Sequence, residues 1–150
     1  DHEVGIPASR NLQIVCVKLP NGKSLQILNH HGIWIPGGKH DTETRIDLSR
    51  KIMGYQSGLS PSIIAGDLNL LPDTESMKIL EVGMRNLIKE GKISSTRSKL
   101  YSDYEKEKKN NRLFADYILV SQEPRVTVNL FEVPYEVISD HLPLILDFDI

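Results

Sequence analysis

The chain has 150 residues, and 18 Lys and Arg against 20 Asp and Glu give it a formal net charge of −2. This length suits one domain with a substantial core, and a hydrophobic fraction of 39% excludes disorder as a description of the whole chain. The near-zero charge excludes a polyanion binder that works by bulk charge, so any nucleic-acid contact has to be local.

The single cysteine limits the chemistry of the chain. Cys16 alone excludes an intramolecular disulfide and a cysteine-based zinc site, which is consistent with a reducing compartment such as the cytoplasm. It lies in the apolar run 14–17, where we expect a buried and inert thiol. The sequence has no apolar stretch of membrane-spanning length and no signal-peptide pattern. It begins with Asp, which fits a piece of a longer protein.

A β-hairpin is the first predicted element, because residues 11–19 and 24–31 flank an Asn21-Gly22 turn. The 16 Ile and 9 Val against 3 Ala favour a core dominated by sheets. Residues 32–40 contain three Gly and one Pro, which predicts a loop. A surface helix is then predicted from Asp41 to Gln56, with Asp41 or Thr42 as its N-cap.

In the second half of the chain, the predicted helices and strands do not alternate regularly. Residues 61–65 predict a buried strand. A helix with Asp73 as its N-cap is predicted next, and its Met side chains are expected to fill the core. The predicted apolar face of this helix consists of residues 77, 80, 84, 87 and 88. The charged stretch 102–112 predicts a solvated loop. Three more strands are predicted, at residues 117–121, 126–132 and 144–150.

This order of elements indicates a mixed α/β domain without the regular alternation of a doubly wound fold. Neither common glycine-rich phosphate loop occurs. No repeat or long linker divides the chain, so we expect one domain over residues 1–150.

Four polar clusters lie where predicted strands meet loops, and rigid sheets often aim functional groups in this way. Turn chemistry alone also explains any one of them, because Asp, Asn, Ser and Gly are common at strand ends. The clusters are Asn29-His30-His31-Gly32, Gly66-Asp67-Leu68-Asn69, Asp116-Tyr117 and Ser139-Asp140-His141.

Taken together, the clusters resemble the motifs of the endonuclease/exonuclease/phosphatase superfamily. The segments ILNHHG, IIAGDLNLLPDTES, FADYILVS and VISDHLPLILDF occur in the order that this family shows, and the resemblance covers roughly residues 11–150. It implies a DNase-like α-β-β-α sandwich of four layers. It also implies hydrolysis of a phosphate ester that depends on Mg²⁺ or Mn²⁺.

The residues suit that chemistry, which needs an in-line water, charge neutralisation on the phosphate and help for the leaving oxygen. Asp67 is a candidate to orient or deprotonate the water. Asn69, on the same side of an extended segment, is expected to donate to a phosphate oxygen, although a turn role is the alternative. His141 is the candidate imidazolium for the phosphoryl group or the leaving group, and the resemblance assigns Asp116 as its partner.

Other residues complete the expected site. Asp140 adjoins His141 but faces the other way on an extended strand, so we expect it to bind the divalent cation, or else to cap a turn. The resemblance places His31 near the scissile phosphate and Asn29 as a residue that holds the site. Arg45 is a candidate phosphate contact, with an exposed helix arginine as the alternative. Trp34 is a candidate for stacking on a base, for inserting into a lipid surface or for anchoring its loop.

The remaining basic residues are weaker candidates. Among the other histidines, His30 is expected to have no functional role and to lie either on the surface or in the core, while His2 and His40 are expected to be solvated. Mixed charges around Lys106, Lys108, Lys109 and Arg112 weaken any case for polyanion contact.

The resemblance also implies an N-terminal portion with strands that carry an Asn and a metal-binding Glu, and Glu3 lacks the apolar strand that should precede it. The chain therefore resembles the C-terminal part of the domain. Open sheet edges, a dimer or a completing N-terminal segment are then expected.

Two further hypotheses stay beside the enzyme. One is a catalytically incomplete module that binds phosphate ligands or depends on a partner. The other is a zinc hydrolase using His30, His31, His40 and carboxylates, which is disfavoured because the adjacent strand residues His30 and His31 face opposite ways.

Overall fold

The structure, a computed structural model, describes residues 10–35, 38–56 and 58–150. The first two strands, β1 (Leu12–Lys18) and β2 (Ser24–His30), pair antiparallel, which confirms the predicted hairpin. The predictions for His2 and Glu3 lie outside the described residues.

Two sheets form the framework of the fold. The strands that follow the hairpin are β3 (Ser62–Asp67), β4 (Met84–Asn86), β5 (Asp116–Ser121), β6 (Thr127–Glu132) and β7 (Ile145–Asp149). The main sheet has five strands in the order β1-β2-β3-β5-β4, while β6 and β7 form a separate antiparallel pair. Strand β3 runs parallel to β2 and antiparallel to β5.

The helix α1 (Glu43–Tyr55) confirms the predicted surface helix, and its N-cap is Thr42, whose Oγ1 accepts a hydrogen bond from the Arg45 amide at 3.2 Å. Asp41 serves a different helix, α2 (Glu75–Leu80). Its carboxylate accepts hydrogen bonds from the backbone amides of Glu75 and Ser76 at 2.7 and 2.9 Å. Asp41 therefore ties the start of α2 to the segment that precedes α1.

The predicted long helix from Asp73 is wrong in its cap and its length. Thr74, not Asp73, is the N-cap, and α2 ends at Leu80. Gly83 has φ +70, a left-handed conformation that favours glycine and interrupts the helical path. The chain then forms β4, which pairs with β5, and the short helix α3 (Leu87–Glu90). The predicted apolar residues are still buried: Met77 and Met84 lie in the core beside the helices, whereas Leu87 lies in the core on the other face of the main sheet.

Two other predictions are corrected by the structure. The charged stretch 102–112 contains the helix α4 (Tyr104–Lys109), which buries no residue and places the Lys108 ammonium 5.7 Å from the centre of the Tyr104 ring. Cys16 is exposed rather than buried, because β1 is an edge strand on which Ile14 and Val15 are also exposed.

Side chains alternate between the two faces of the main sheet, as the pleat requires. One face packs against the helices through a core that includes Leu28, Ile64 and Leu119. The other packs against β6 and β7 through Ile63, Ile118 and Val120. The described residues thus form a helical layer and two sheet layers, while Leu130 and Ile145 on the small sheet are exposed. None of the helices in the described part of the chain has the length and apolarity needed to cross a bilayer.

We predict that Leu28→Ala lowers the free energy of unfolding by about 2–5 kcal/mol, because Leu28 is fully buried and its loss leaves a cavity. Urea denaturation measures this change. The matched control is Leu100→Ala, at a leucine that is 55% exposed, and its expected effect is about 0.5 kcal/mol or less. Equal effects of the two substitutions would contradict the core described above.

Candidate active site

The polar clusters meet at one end of the main sheet. Asp67 ends β3 and Asp116 begins β5, and the two residues are direct cross-strand partners. Strand β2 runs parallel to β3, so His31, just after β2, lies at the same end. The amide of Gly32 donates to the carbonyl oxygen of Asp67 at 2.6 Å, which joins the two strand ends. The structure therefore brings these predicted site segments together.

Gly66 makes this close approach possible. Its φ is +136, and a Cβ at this position would lie 2.1 Å from the His30 carbonyl oxygen. Asn69 also lies in a turn, with φ +50, rather than on the extended segment that we expected. Its backbone amide donates to Asp67 Oδ1 at 2.9 Å, while its side chain is buried with Nδ2 3.4 Å from the Gly32 carbonyl oxygen. Asn69 thus orients the Asp67 carboxylate through its backbone.

His141 is held by Asp116, the partner that the resemblance assigned to it. The imidazole Nδ1 lies 2.8 and 3.0 Å from the two Asp116 carboxylate oxygens. Hydrogen bonding to Asp116 raises the pKa of His141 above its ordinary value, although burial and nearby Arg97 oppose this shift. The other ring nitrogen, Nε2, lies 3.8 Å from Asp67 Oδ2. One imidazole therefore spans the two carboxylates.

Arg97 is the main site residue that the sequence analysis missed. Its side chain is 7% exposed, and Nη1 donates to Asp140 Oδ2 at 2.7 Å and also contacts His141 Nε2. Its Nη2 lies 3.7 Å from Asp67 Oδ2. Because a guanidinium only donates, Nε2 of His141 accepts here and the ring proton belongs on Nδ1, facing Asp116.

Backbone pairing on both sides of Arg97 explains its position. The Thr96 hydroxyl accepts from the amides of Ala115 and Asp116 at 3.0 and 3.2 Å. On the other side, Arg97 forms an isolated antiparallel bridge with His141, and the Ser98 amide donates to the Asp140 carbonyl oxygen at 3.0 Å. In the sequence, Arg97 stands out only as an arginine in a Ser/Thr-rich segment. That segment has no apolar periodicity that would predict a position in the site.

Three residues at this end of the sheet can offer ligand atoms to one metal ion. Atoms of Asp67, Asp116 and His141 lie within 4.8 Å of one another. The predicted metal ligand Asp140 is 46% exposed, and its Oδ2 lies 3.7 Å from His141 Nε2, so it faces this cluster rather than pointing away. Its role as a ligand stays a prediction.

His30 and His31 separate, as expected of neighbours at a strand end. His30 is buried, and its Nδ1 lies 3.2 Å from the Asn11 carbonyl oxygen, while burial lowers its pKa. His31 is exposed, and its Nε2 lies 3.8 Å from Asp67 Oδ2. Within the described residues, the one group that could hold a metal includes neither of them, which gives the zinc hypothesis no support.

Asn29 and Arg45, both predicted to bind substrate, occupy different places. Asn29 lines a cleft of about 310 Å³ together with Asp116, and its Nδ2 lies 3.4 Å from Gln13 Oε1. Arg45 is buried, so its alternative as an exposed helix arginine is wrong. Its guanidinium donates to the carbonyl oxygens of Ile33 and Gly38 at 3.0 and 3.1 Å, which anchors the loop before α1.

The loop that Arg45 anchors also contains exposed side chains near the site. Trp34 is 61% exposed, and with Lys39, Tyr101 and Arg112 it lines a cavity of about 260 Å³. His40 is exposed, as predicted. Lys39, which the sequence analysis did not single out, donates to the Phe114 carbonyl oxygen and lies 5.8 Å from the centre of the Tyr101 ring.

Comparison with solved structures identifies the fold. A structure described as an endonuclease/exonuclease/phosphatase of Beutenbergia cavernae matches 93% of this chain with 22% identity and a TM-score of 0.67, although the match covers 39% of that protein. A mannosyl-6-phosphatase of Bacteroides thetaiotaomicron has 16% identity and a TM-score of 0.63, with 86% and 52% of the two chains covered. Danio rerio TDP2, complexed with a single-strand DNA product, has 19% identity and a TM-score of 0.65, with 94% and 62% covered.

The chain therefore has the mixed α/β fold of the endonuclease/exonuclease/phosphatase proteins, which confirms the predicted resemblance and fold class. It spans between 39% and 62% of the length of these three structures, which fits the prediction of a partial domain. No protein-family profile matches the sequence. No curated protein matches it either.

We predict that the contribution of His141 to stability is larger in acid than in base. A folded-state pKa raised above 6.5 gives stability that is present below 6.5 and is lost as the pH rises through the raised value. His141→Gln should therefore destabilise the protein more at about pH 5.5 than at about pH 9. Urea denaturation at both pH values measures the difference.

The control repeats His141→Gln in an Asp116→Asn background, where most of the pH-dependent part should disappear. An equal pH-dependent part in both backgrounds would mean that Asp116 does not raise the pKa of His141.

Proposed function

We propose that this chain is the C-terminal part of a phosphoesterase domain that hydrolyses a phosphate ester by in-line attack of an activated water, with Mg²⁺ or Mn²⁺. The observation that carries the proposal is the convergence of Asp67, Asp116 and His141 at one sheet end, with ligand atoms within 4.8 Å of one another. The fold shared with phosphatases and nucleic-acid-processing proteins supports the same class of reaction. The convergence does not distinguish a phosphodiester from a phosphomonoester.

In this mechanism Asp67 orients the attacking water and accepts its proton. Its carboxylate suits the task because the Asn69 amide fixes one oxygen at 2.9 Å and the side chain is 15% exposed. The Asn69 side chain is buried against the Gly32 carbonyl oxygen, so its Nδ2 would donate to a phosphate oxygen only after turning out of that contact. Asn29, in the cleft beside Asp116, helps to hold the ester.

His141 serves the leaving oxygen. Asp116 favours its protonated form, and the imidazolium donates to the phosphoryl group or gives its proton to the leaving group. The Arg97 guanidinium has to withdraw from Nε2 before that nitrogen can carry a proton. His31 Nε2 lies 3.8 Å from the same Asp67 oxygen as His141 Nε2, and we propose that it supplies a second contact to the phosphate.

The carboxylates fit a hard divalent cation, because Mg²⁺ prefers carboxylate and water oxygens. Asp140 is the residue that we propose to hold it, since its Oδ2 lies 3.7 Å from His141 Nε2, next to the cluster of Asp67, Asp116 and His141. When bound, such an ion neutralises charge on the phosphate.

Among the described residues β1 has no strand on its outer side, which favours a second candidate. This candidate is a phosphate-binding half-domain that is inactive until another segment or a second copy completes it. Ile14 and Val15 on the edge strand are 39% and 40% exposed, and unpaired edges tend to pair with another strand. The chain spans at most 62% of the three structures described above, which supports the same alternative.

We predict metal-dependent turnover of p-nitrophenyl phosphate or bis-p-nitrophenyl phosphate by the folded chain, and its loss on chelation. His141→Ala and Asp67→Ala should each lower kcat by about 10²–10⁴-fold, the range for loss of a general acid or base. Steady-state assays with Mg²⁺, Mn²⁺ or chelator measure this.

The matched controls are His40→Ala and Asp47→Ala, at exposed residues outside the cluster, and they should retain turnover. Turnover that survives both site substitutions would overturn the assigned roles. A folded chain without turnover, which gains it only on dimerisation or on addition of an N-terminal segment, would establish the second candidate.

A further inference from the structure

Lys39 holds a positive charge that no carboxylate neutralises at close range. Its ammonium donates to the Phe114 carbonyl oxygen and lies over the Tyr101 ring. Across the described ranges 10–35, 38–56 and 58–150, no carboxylate oxygen lies within the 4.0 Å of an ion pair with this ammonium. Burial, aided by nearby Arg97, lowers the pKa of Lys39 from 10.5 to about 8. A half-buried cation of this kind is stabilised by an incoming anion.

Arg97 lies on the same aromatic ring. Its Cζ is 4.8 Å from the centre of the Tyr101 ring, against 5.8 Å for the Lys39 ammonium. The Tyr101 amide donates to the Ser98 carbonyl oxygen at 3.1 Å, so the ring is tied to the segment that carries Arg97. One tyrosine therefore holds two cations beside the Asp67 and Asp116 carboxylates.

The backbone of Lys39 is fixed on both sides. Arg45 binds the carbonyl oxygens of Gly38 and His40, the two residues that flank it. The Lys39 carbonyl oxygen accepts from the Leu71 amide at 3.2 Å. A lysine held in this way is a constructed part of the site rather than a surface side chain that happens to reach it.

We propose that Lys39 and Arg97 together bind the dianionic phosphate of a phosphomonoester, with the organic part of the ester in the cavity lined by Trp34 and Tyr101. This inference rests on the proposed function and narrows its substrate class. Asp140 and Asp67 lie within ion-pair distance of Arg97, whereas no carboxylate of the described residues lies that close to the Lys39 ammonium. A phosphodiester carries one negative charge and gains less from a second cation than a dianion does.

Calorimetric titration in metal-free buffer tests this without any turnover. Inorganic phosphate serves as the probe for the dianion, and dimethyl phosphate as the probe for the diester. The wild-type chain should bind phosphate more tightly than dimethyl phosphate. Lys39→Met should weaken phosphate binding by roughly 10–100-fold, the range for a charge-assisted hydrogen bond, and should affect dimethyl phosphate much less.

Two further variants test whether the loss of phosphate affinity comes specifically from the Lys39 charge. Lys39→Arg keeps the charge and should retain most of the phosphate affinity. Lys51→Met removes an exposed lysine of α1 and should leave binding unchanged. The inference is overturned if the wild type does not bind phosphate, if the two Met variants lose affinity equally, or if Lys39→Met affects both anions equally.

These outcomes separate the inference from the proposed function. A chain that binds phosphate through Lys39 but hydrolyses no ester keeps the inference and overturns the proposed activity. A chain that hydrolyses esters with unchanged phosphate affinity in Lys39→Met keeps the activity and overturns the inference.

Discussion

Two carboxylates face each other across β3 and β5, and the rest of the site follows from that pairing. Like charges at directly opposite positions destabilise a sheet, so Asp67 and Asp116 need positive groups between them. His141 supplies one when it is protonated, since its Nδ1 lies on Asp116 and its Nε2 lies 3.8 Å from Asp67. Arg97 supplies another from the segment that pairs with His141. The repulsion at the sheet end thus explains why an imidazole and a guanidinium gather there.

The charges at this end of the sheet nearly balance. Asp67, Asp116 and Asp140 contribute three negative charges, and Arg97, Lys39 and protonated His141 can contribute three positive ones. Arg97 donates to Asp140 and to Nε2 of His141, so its contacts hold the same groups that the proposed mechanism uses. Arrival of a divalent cation at the carboxylates would release the guanidinium towards an anion. If the proposed function is right, one buried arginine would link binding of the metal to binding of the phosphate.

Local patterns predicted the strands and the polar residues at their ends, but not the residues that join them. The hairpin and β3 follow from apolar runs and turn residues, and the pairing of Asp116 with His141 followed from the family resemblance. Arg97 and Lys39 lie in a Ser/Thr-rich and a Gly-rich segment without periodicity, and only long-range pairing brings them to the site. The helix after Thr74 was predicted to be too long because a helix, or a short helix followed by a strand and a second short helix, can bury the same apolar residues.

The polar cluster and the outer edge of the described sheet belong to different parts of the fold. Asp67 and Asp116 lie on β3 and β5, which are interior strands, and Thr96 and Ser98 hold the Arg97 segment without help from β1. Among the described residues, the edge strand reaches the site where Gln13 Oε1 lies 3.4 Å from Asn29 Nδ2, and Arg10, just before that strand, lies 3.4 Å from His31 Nδ1. Asn29 also lines the cleft beside Asp116. A segment packed on β1 would therefore reshape the wall of that cleft without displacing His141 or its partners. Completion of the sheet should therefore change the substrate specificity of the proposed site more than the arrangement of the side chains that would cleave the ester.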